Sequence, residues 1–130
     1  MSTDFTLEYR GDYLLVTHPP GYEITPEGMR RFWAAIAVAS RTYDCRRVLA
    51  EGEVVRRKLK TTDALHSGVQ ASESVMGLTM AVCFEGYEPD EMTEFFVNVA
   101  ANRGARVRFF SDREQAMAWL GVREEATGSR

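Results

Sequence analysis

Histidine is the side chain best suited to moving protons near neutral pH, and the chain contains two histidines. His18 precedes Pro19, where a predicted strand ends, and open α/β sheets bind ligands at the carboxyl ends of their strands. A ligand contact therefore competes with a structural or solvated role for His18, and we favour the second. His66 lies between Asp63 and Ser67 on a predicted helix, but proximity along the sequence does not supply the geometry of a catalytic triad.

The two cysteines are the other candidate nucleophiles. Cys83 lies in the most apolar segment of the chain, where a free cysteine acts as a small hydrophobic residue. Cys45 follows Asp44 and precedes two arginines, which favour a reactive thiolate, although an exposed or half-buried loop thiol is the simpler interpretation. Two cysteines are too few for a disulfide framework, and they lack the spacing of metal ligands.

Motifs that bind nucleotides or zinc are missing from the sequence. The chain contains no G-x-x-x-x-G-K-[ST], no G-x-G-x-x-G, no H-E-x-x-H and no paired C-x-x-C. We therefore predict a protein that is not an enzyme and that uses no cofactor and no metal. An enzyme that depends on His18 or Cys45 is the least favoured hypothesis.

Size and composition indicate one soluble domain. The chain has 130 residues, of which 45% are hydrophobic and 27% charged, and its net charge of −3 argues against nucleic acid as the main partner. No apolar run approaches the roughly 18 residues of a membrane-spanning helix, so we expect no integral membrane association. The first residues lack the pattern of a signal peptide, which favours a cytoplasmic location.

Charge is distributed unevenly along the chain. A basic segment contains Arg56, Arg57, Lys58 and Lys60, whereas an acidic segment covers residues 85–94. Both segments are explained as solvated surface. Alternatively, the basic segment binds a charged protein partner. We carry these four basic residues forward as candidate partner-binding residues.

Hydrophobic periodicity predicts an α/β fold with the order ββαβαβαβα. A Gly/Asp turn at 10–12 separates the first two strands and predicts a hairpin, so the five-stranded sheet should be mixed, with about four helices covering both faces. Ser111 begins a capping box with Glu114, which predicts the start of the last helix. The predicted strands cover about 5–9, 13–16, 48–50, 78–84 and 107–110, and the predicted helices about 25–41, 61–76, 89–104 and 111–121.

Aromatic residues and methionines on the predicted core faces suggest a second function. Most of the 14 aromatic residues are explained by core packing, but Tyr22 and Tyr87 stand in Gly/Pro-bearing loops after strands. An apolar ligand pocket is therefore an alternative to a solid core. Its candidate lining residues are His18, Tyr22, Trp33, Tyr87 and Phe96.

The C-terminal part resembles a known family. Residues 107–120, VRFFSDREQAMAWL, are similar to the V-x-x-F-x-[DS]-x-x-x-A-x-x-W-L ending of SpoIIAA-like proteins, a branch of the STAS domains of anti-sigma-factor antagonists that is also described as STAS/SEC14-like. The element order extends the resemblance over residues 5–121 and leaves 122–130 as a flexible tail. The resemblance implies a non-enzymatic, cytosolic bacterial protein that interacts with another protein or forms a homodimer.

In the antagonists of that family, a serine in an Asp-Ser-Ser-Gly loop before the second helix is phosphorylated and controls binding to an anti-sigma kinase. This chain lacks the motif and has KTTDALHSG at 60–68 instead. Thr61, Thr62 and Ser67 are the candidate phosphorylation sites, because a helix N-terminus favours a phosphate, and helix capping is the alternative role. The sequence thus favours an interaction or regulatory module, with a carrier of a small apolar or lipid-like ligand as the alternative.

Overall fold

The computed structural model describes residues 5–19, 23–24, 26–52, 56–57, 77–84 and 91–122. The candidate residues Tyr22, Lys58, Lys60 and Tyr87 lie outside these ranges. The candidate phosphorylation sites, His66 and the predicted helix over 61–76 also lie outside them. The elements, in chain order, are β1 (Thr6–Tyr9), β2 (Leu14–Thr17), β3 (Glu23–Ile24), α1 (Pro26–Tyr43), β4 (Arg47–Gly52), β5 (Arg56–Arg57), β6 (Thr79–Phe84), α2 (Glu91–Asn102), β7 (Arg106–Phe110) and α3 (Arg113–Leu120).

Five strands form the main sheet in the order β1-β2-β4-β6-β7. β1 and β2 are antiparallel, and their turn places Gly11 at a φ of +90°. That backbone conformation is accessible to glycine at little cost. β2, β4, β6 and β7 are parallel, so the predicted mixed α/β sheet with a hairpin at one edge is confirmed.

The sheet separates two hydrophobic clusters. On what we call the first face, α1 and α2 cover alternate residues of the central strands, including Val48, Val82 and Val107. On the second face, α3 covers the intervening residues, including Leu49 and Ala81. β6 is buried on both faces, which explains its almost continuous apolar sequence.

The helices agree with their sequence patterns in most positions. The spacing of Met29, Phe32, Trp33, Ile36 and Ser40 predicts one core-facing stripe on α1. The stripe is confirmed, because Phe32, Trp33 and Ile36 are buried. The apolar spacing of Met92, Phe95, Phe96, Val99 and Ala100 predicts the core face of α2. Phe96 and Ala100 are buried as expected, but the prediction of a core position for Phe95 is wrong. That side chain is 37% exposed, because Phe96 and Ala100, four residues apart, form the row that is buried and Phe95 lies beside this row.

The last helix begins one residue later than predicted. Asp112, rather than Ser111, is the N-cap, and its carboxylate accepts a hydrogen bond of 2.9 Å from the backbone N–H of Glu114. Gly121 ends the helix at a φ of +78°, and its N–H donates to the carbonyls of Met117 and Ala118. Val122 follows and is buried in the second-face cluster.

The structure describes three helices, compared with about four expected. It also contains a second, two-stranded sheet that the sequence pattern did not predict, in which β3 and β5 pair in parallel. In the part of the chain that is described, no helix combines the length and the apolar composition needed to cross a membrane.

Candidate functional site

The carboxyl edge of the parallel strands brings His18 close to the ends of β4 and β6. His18 directly follows β2, and its backbone N–H donates to the carbonyl of Glu51 at 2.9 Å, which extends the pairing of β2 with β4. Its side chain is only 5% exposed. A β-carbon added to Gly52 would lie 3.1 Å from the Cβ of His18, so a larger residue would not fit at this point without a shift.

The imidazole of His18 packs among three phenylalanine rings. The ring centroids of Phe5, Phe32 and Phe84 lie 6.0, 5.6 and 5.3 Å from that of His18. The rings of Phe5 and Phe84 meet it edge to face, a favourable geometry for aromatic pairs. The side chain is therefore a component of the aromatic packing at this edge.

Three of the candidate pocket residues belong to one continuous series of ring contacts. From His18 the series passes through Phe32 to Trp33 at 4.9 Å, and from Trp33 to Phe96 at 6.4 Å. Phe96 in turn contacts Phe109 of β7 at 6.4 Å. His18, Trp33 and Phe96 thus lie together on the first face, where their rings fill space against one another.

Cys45 is buried, which corrects the expectation of an exposed or half-buried loop thiol. Its Sγ lies 3.7 Å from the carbonyl oxygen of Asp12 and 3.6 Å from that of Arg47. The side chain is 8% exposed because it packs into the first-face cluster between the end of α1 and the start of β4. Cys45 therefore lies at the amino edge of the parallel strands, whereas His18 lies at the carboxyl edge.

Cys83 is buried on the second face, in agreement with its predicted role as a small hydrophobic residue. Among the described residues, no group of three or more His, Cys, Asp or Glu side chains is arranged to hold a metal ion. Glu51 lies beside Cys83 in the register of β4 and β6 and pairs with Arg113 of α3 at 3.2 Å. This ion pair connects the start of α3 to the sheet.

The backbone of Arg56 and Arg57 forms β5, which pairs with Glu23 and Ile24. These two arginines precede Lys58 and Lys60, which the structure does not describe. The pairing places the start of the predicted basic segment beside the segment that connects β2 to α1. Its role in binding a partner stays a prediction.

A second candidate surface lies where α3 meets β7. The guanidinium carbon of Arg106 lies 5.5 Å from the ring centroid of Trp119, and that of Arg108 lies 5.3 Å from the ring centroid of Phe110. The two rings are 5.7 Å apart. We call Arg106, Arg108, Phe110 and Trp119 the β7–α3 patch. Each arginine is exposed, and each ring is half-buried.

The arginines of the β7–α3 patch have no acidic partner among the described residues, where no carboxylate lies within ion-pair distance of either guanidinium. Cation–π contacts hold guanidinium groups in place without neutralising their charge. The patch therefore presents two positioned positive charges on a partly apolar surface.

Sequence reasoning missed this patch. The alternation of Arg106 and Arg108 around Val107 was visible, and in a strand it places both arginines on one face. The position of Trp119 above β7 depends on how α3 folds back, which no local pattern reveals.

Searches against protein-family models and curated proteins find no match for this chain.

Proposed function

We propose that this chain is a non-catalytic protein-interaction or regulatory module of the SpoIIAA-like STAS type, and that the β7–α3 patch contacts its partner. The observation that carries the proposal is the pair of exposed arginines that contact half-buried aromatic rings and have no carboxylate partner among the described residues. Arginine and tryptophan are among the residues enriched at the energetically dominant positions of protein interfaces. The patch combines both types on one surface.

The fold supports the STAS-like part of the proposal. A hairpin that opens a mixed sheet, with the later strands added in chain order, agrees with the element order from which the resemblance was drawn. The matching residues 107–120 form β7 and α3, so the motif and the patch occupy the same two elements.

The candidate catalytic side chains support binding rather than catalysis. His18 and Cys45 are buried at opposite edges of the parallel strands, so they do not act on one substrate together. Nucleophilic catalysis needs the base within hydrogen-bond reach of the nucleophile. The aromatic contacts around Trp33 favour a packed layer over the alternative, a carrier of an apolar ligand.

Site-specific photo-crosslinking in cells tests the proposal. Gln115 is exposed and lies one helical turn before Trp119, on the same side of α3. A p-benzoylphenylalanine placed at position 115 should give a discrete covalent adduct with one protein. The same group at position 41, on exposed Arg41 of α1 on the opposite face, should not give that adduct.

Charge-reversal variants provide the matched control. R106E/R108E should abolish the adduct at position 115, whereas R41E should preserve it. R56E/R57E tests whether the predicted basic segment contributes to the same interaction. Equal adducts from positions 115 and 41, or an adduct that survives R106E/R108E in a chain with an unchanged circular dichroism spectrum, would overturn the proposal.

A further inference from the structure

β7 is an edge strand of the described sheet. It pairs with β6 along one side, and no described strand pairs with its other side. An edge strand presents backbone N–H and C=O groups that can hydrogen-bond to an additional strand. Several protein modules bind extended peptides by this kind of strand addition.

The side chains of β7 define what an added strand would have to match. Arg106 and Arg108 project from the second face and are separated by two residues, or about 6.6 Å along a strand. Val107, between them, faces the first face and is buried, and Phe109, which follows Arg108, lies half-buried against Phe96. The edge is therefore basic on one face of the sheet and apolar on the other.

We infer that the partner of this chain adds an extended acidic segment to β7. Residues directly opposite on neighbouring strands lie with their Cβ atoms about 5 Å apart, and opposite charges there are stabilising. Acidic residues two positions apart would face Arg106 and Arg108, and the apolar residues between them would lie beside Val107 and Phe109. The inference rests on the proposed function and specifies the chemistry of the partner as alternating acidic and apolar residues.

A second copy of this chain fits the edge less well. Antiparallel pairing of β7 with its own copy would place arginines near arginines, and like charges directly opposite are destabilising. β1, at the other edge of the sheet, offers one acidic residue, Glu8, whose carboxylate already pairs with Arg10 at 2.8 Å.

Single-stranded nucleic acid also fits less well. Base recognition on such surfaces uses the open faces of aromatic rings. In the patch, a guanidinium group lies over Phe110 and another over Trp119. The net charge of the whole chain is −3, which repels phosphates at long range.

Fluorescence anisotropy with defined peptides tests the inference. The probe is a labelled peptide with the core Glu-Val-Glu-Val-Glu, and it is titrated with the full chain. One control peptide replaces each Glu by Lys, and a second keeps the side chains but carries N-methyl groups on alternate backbone amides, which removes the donors that pair with an edge. We expect binding of the first peptide only.

Variants of β7 test whether the positive charges of Arg106 and Arg108 contribute to binding of the acidic peptide. R106A/R108A should weaken binding of the acidic peptide about tenfold, since each exposed ion pair contributes only modestly to affinity. R106K/R108K should restore part of that loss, and R41A should leave the affinity unchanged. Added salt should weaken binding because exposed charges are screened.

The outcomes distinguish this inference from the proposed function. Equal binding of the N-methylated peptide, an unchanged affinity in R106A/R108A, or displacement of the acidic peptide by ten-nucleotide oligothymidylate would overturn strand addition by an acidic segment. If the chain self-associates with increasing concentration and R106A/R108A abolishes this association, the β7 edge binds a second copy of the chain, which would overturn the inference of an acidic partner segment. Failure of the peptide experiment removes only the inference if the chain with unchanged arginines still gives the adduct at position 115. Absence of the adduct from that chain removes the proposed function.

Discussion

The two faces of the sheet bury different numbers of large aromatic side chains: among the described residues, the first face buries four and the second face buries one, Tyr13. On the first face, α1 and α2 bury large aromatic side chains, including Phe32, Trp33, Phe84 and Phe96. On the second face, a helix of eight residues packs through Ala116, Met117 and Leu120 against strand residues such as Ala81 and Cys83. The aromatic rings that contact the second-face cluster from its periphery, Phe110 and Trp119, are half-buried.

Under the proposed function, the first face supplies most of the stability and the second face carries the surface that contacts the partner. Burial of large aromatic side chains contributes most to a core, so the first face should dominate the free energy of unfolding. The second face is covered by a shorter helix and has exposed arginines at the β7 edge. The second face therefore exposes arginines and aromatic rings, whereas packing on the first face provides most of the stability of the sheet.

The two tryptophans provide the strongest test of this comparison. Trp33→Ala should lower the free energy of unfolding by about 3–5 kcal/mol, because the side chain is 2% exposed and its removal leaves a cavity. Trp119→Ala should cost much less stability, because its ring is half-buried. Urea denaturation followed by circular dichroism measures both. Equal losses would contradict the division between the two faces.

Close packing at the carboxyl edge of the first face predicts the next largest effect. Gly52→Ala should destabilise the fold by about 1–3 kcal/mol, since the new methyl group would lie 3.1 Å from the Cβ of His18 and 3.2 Å from its carbonyl oxygen. The same denaturation experiment measures the loss, and the NMR signals of the His18 ring should shift. Unchanged stability would show that this edge has free space, which would favour the ligand-carrier alternative.

The N-cap of α3 should have a smaller effect that is confined to the second face. Asp112→Ala removes the acceptor for the N–H of Glu114 and should cost about 1 kcal/mol. Asp112→Asn keeps an acceptor and should be nearly neutral. Hydrogen exchange should accelerate in α3 for the alanine variant and not in α1; acceleration in both helices would show that the two faces unfold as one unit.

The ion pair between Glu51 and Arg113 should have the smallest effect. Glu51→Gln should change the free energy of unfolding by less than about 1 kcal/mol, because both side chains are partly exposed to water. The effect should decrease further with added salt. A loss well above that value, measured by urea denaturation, would mean that this contact anchors α3 more strongly than its cap does.

Local patterns explain why most of the fold was predictable. The alternation at 5–9 and the apolar run at 78–84 gave two strands, and the helix start at Pro26 followed from residue types that favour a first turn. β3 and β5 were missed because each has two residues, which is too short for any periodicity to appear.

The candidate site was less predictable because it depends on contacts between distant segments. The sequence placed His18 at a strand end but did not reveal that Phe5, Phe32 and Phe84 surround it. The loop between α1 and β4 suggested an accessible Cys45, whereas the start of β4 and the hairpin turn cover it. For both His18 and Cys45, the residues that bury the side chain belong to other elements of the fold.

The order of strands in the main sheet has a consequence for how the chain folds. Each of its strands lies beside the preceding one, so a chain emerging from the ribosome can add every new strand to an edge that already exists. α3 follows the last strand and packs back against β4 and β6. In the part of the chain that the structure describes, α3 is the helix that covers Leu49 and Ala81 on the second face. This cover forms only after residues 113–120 have been synthesised, and until then the nascent chain is more exposed to aggregation.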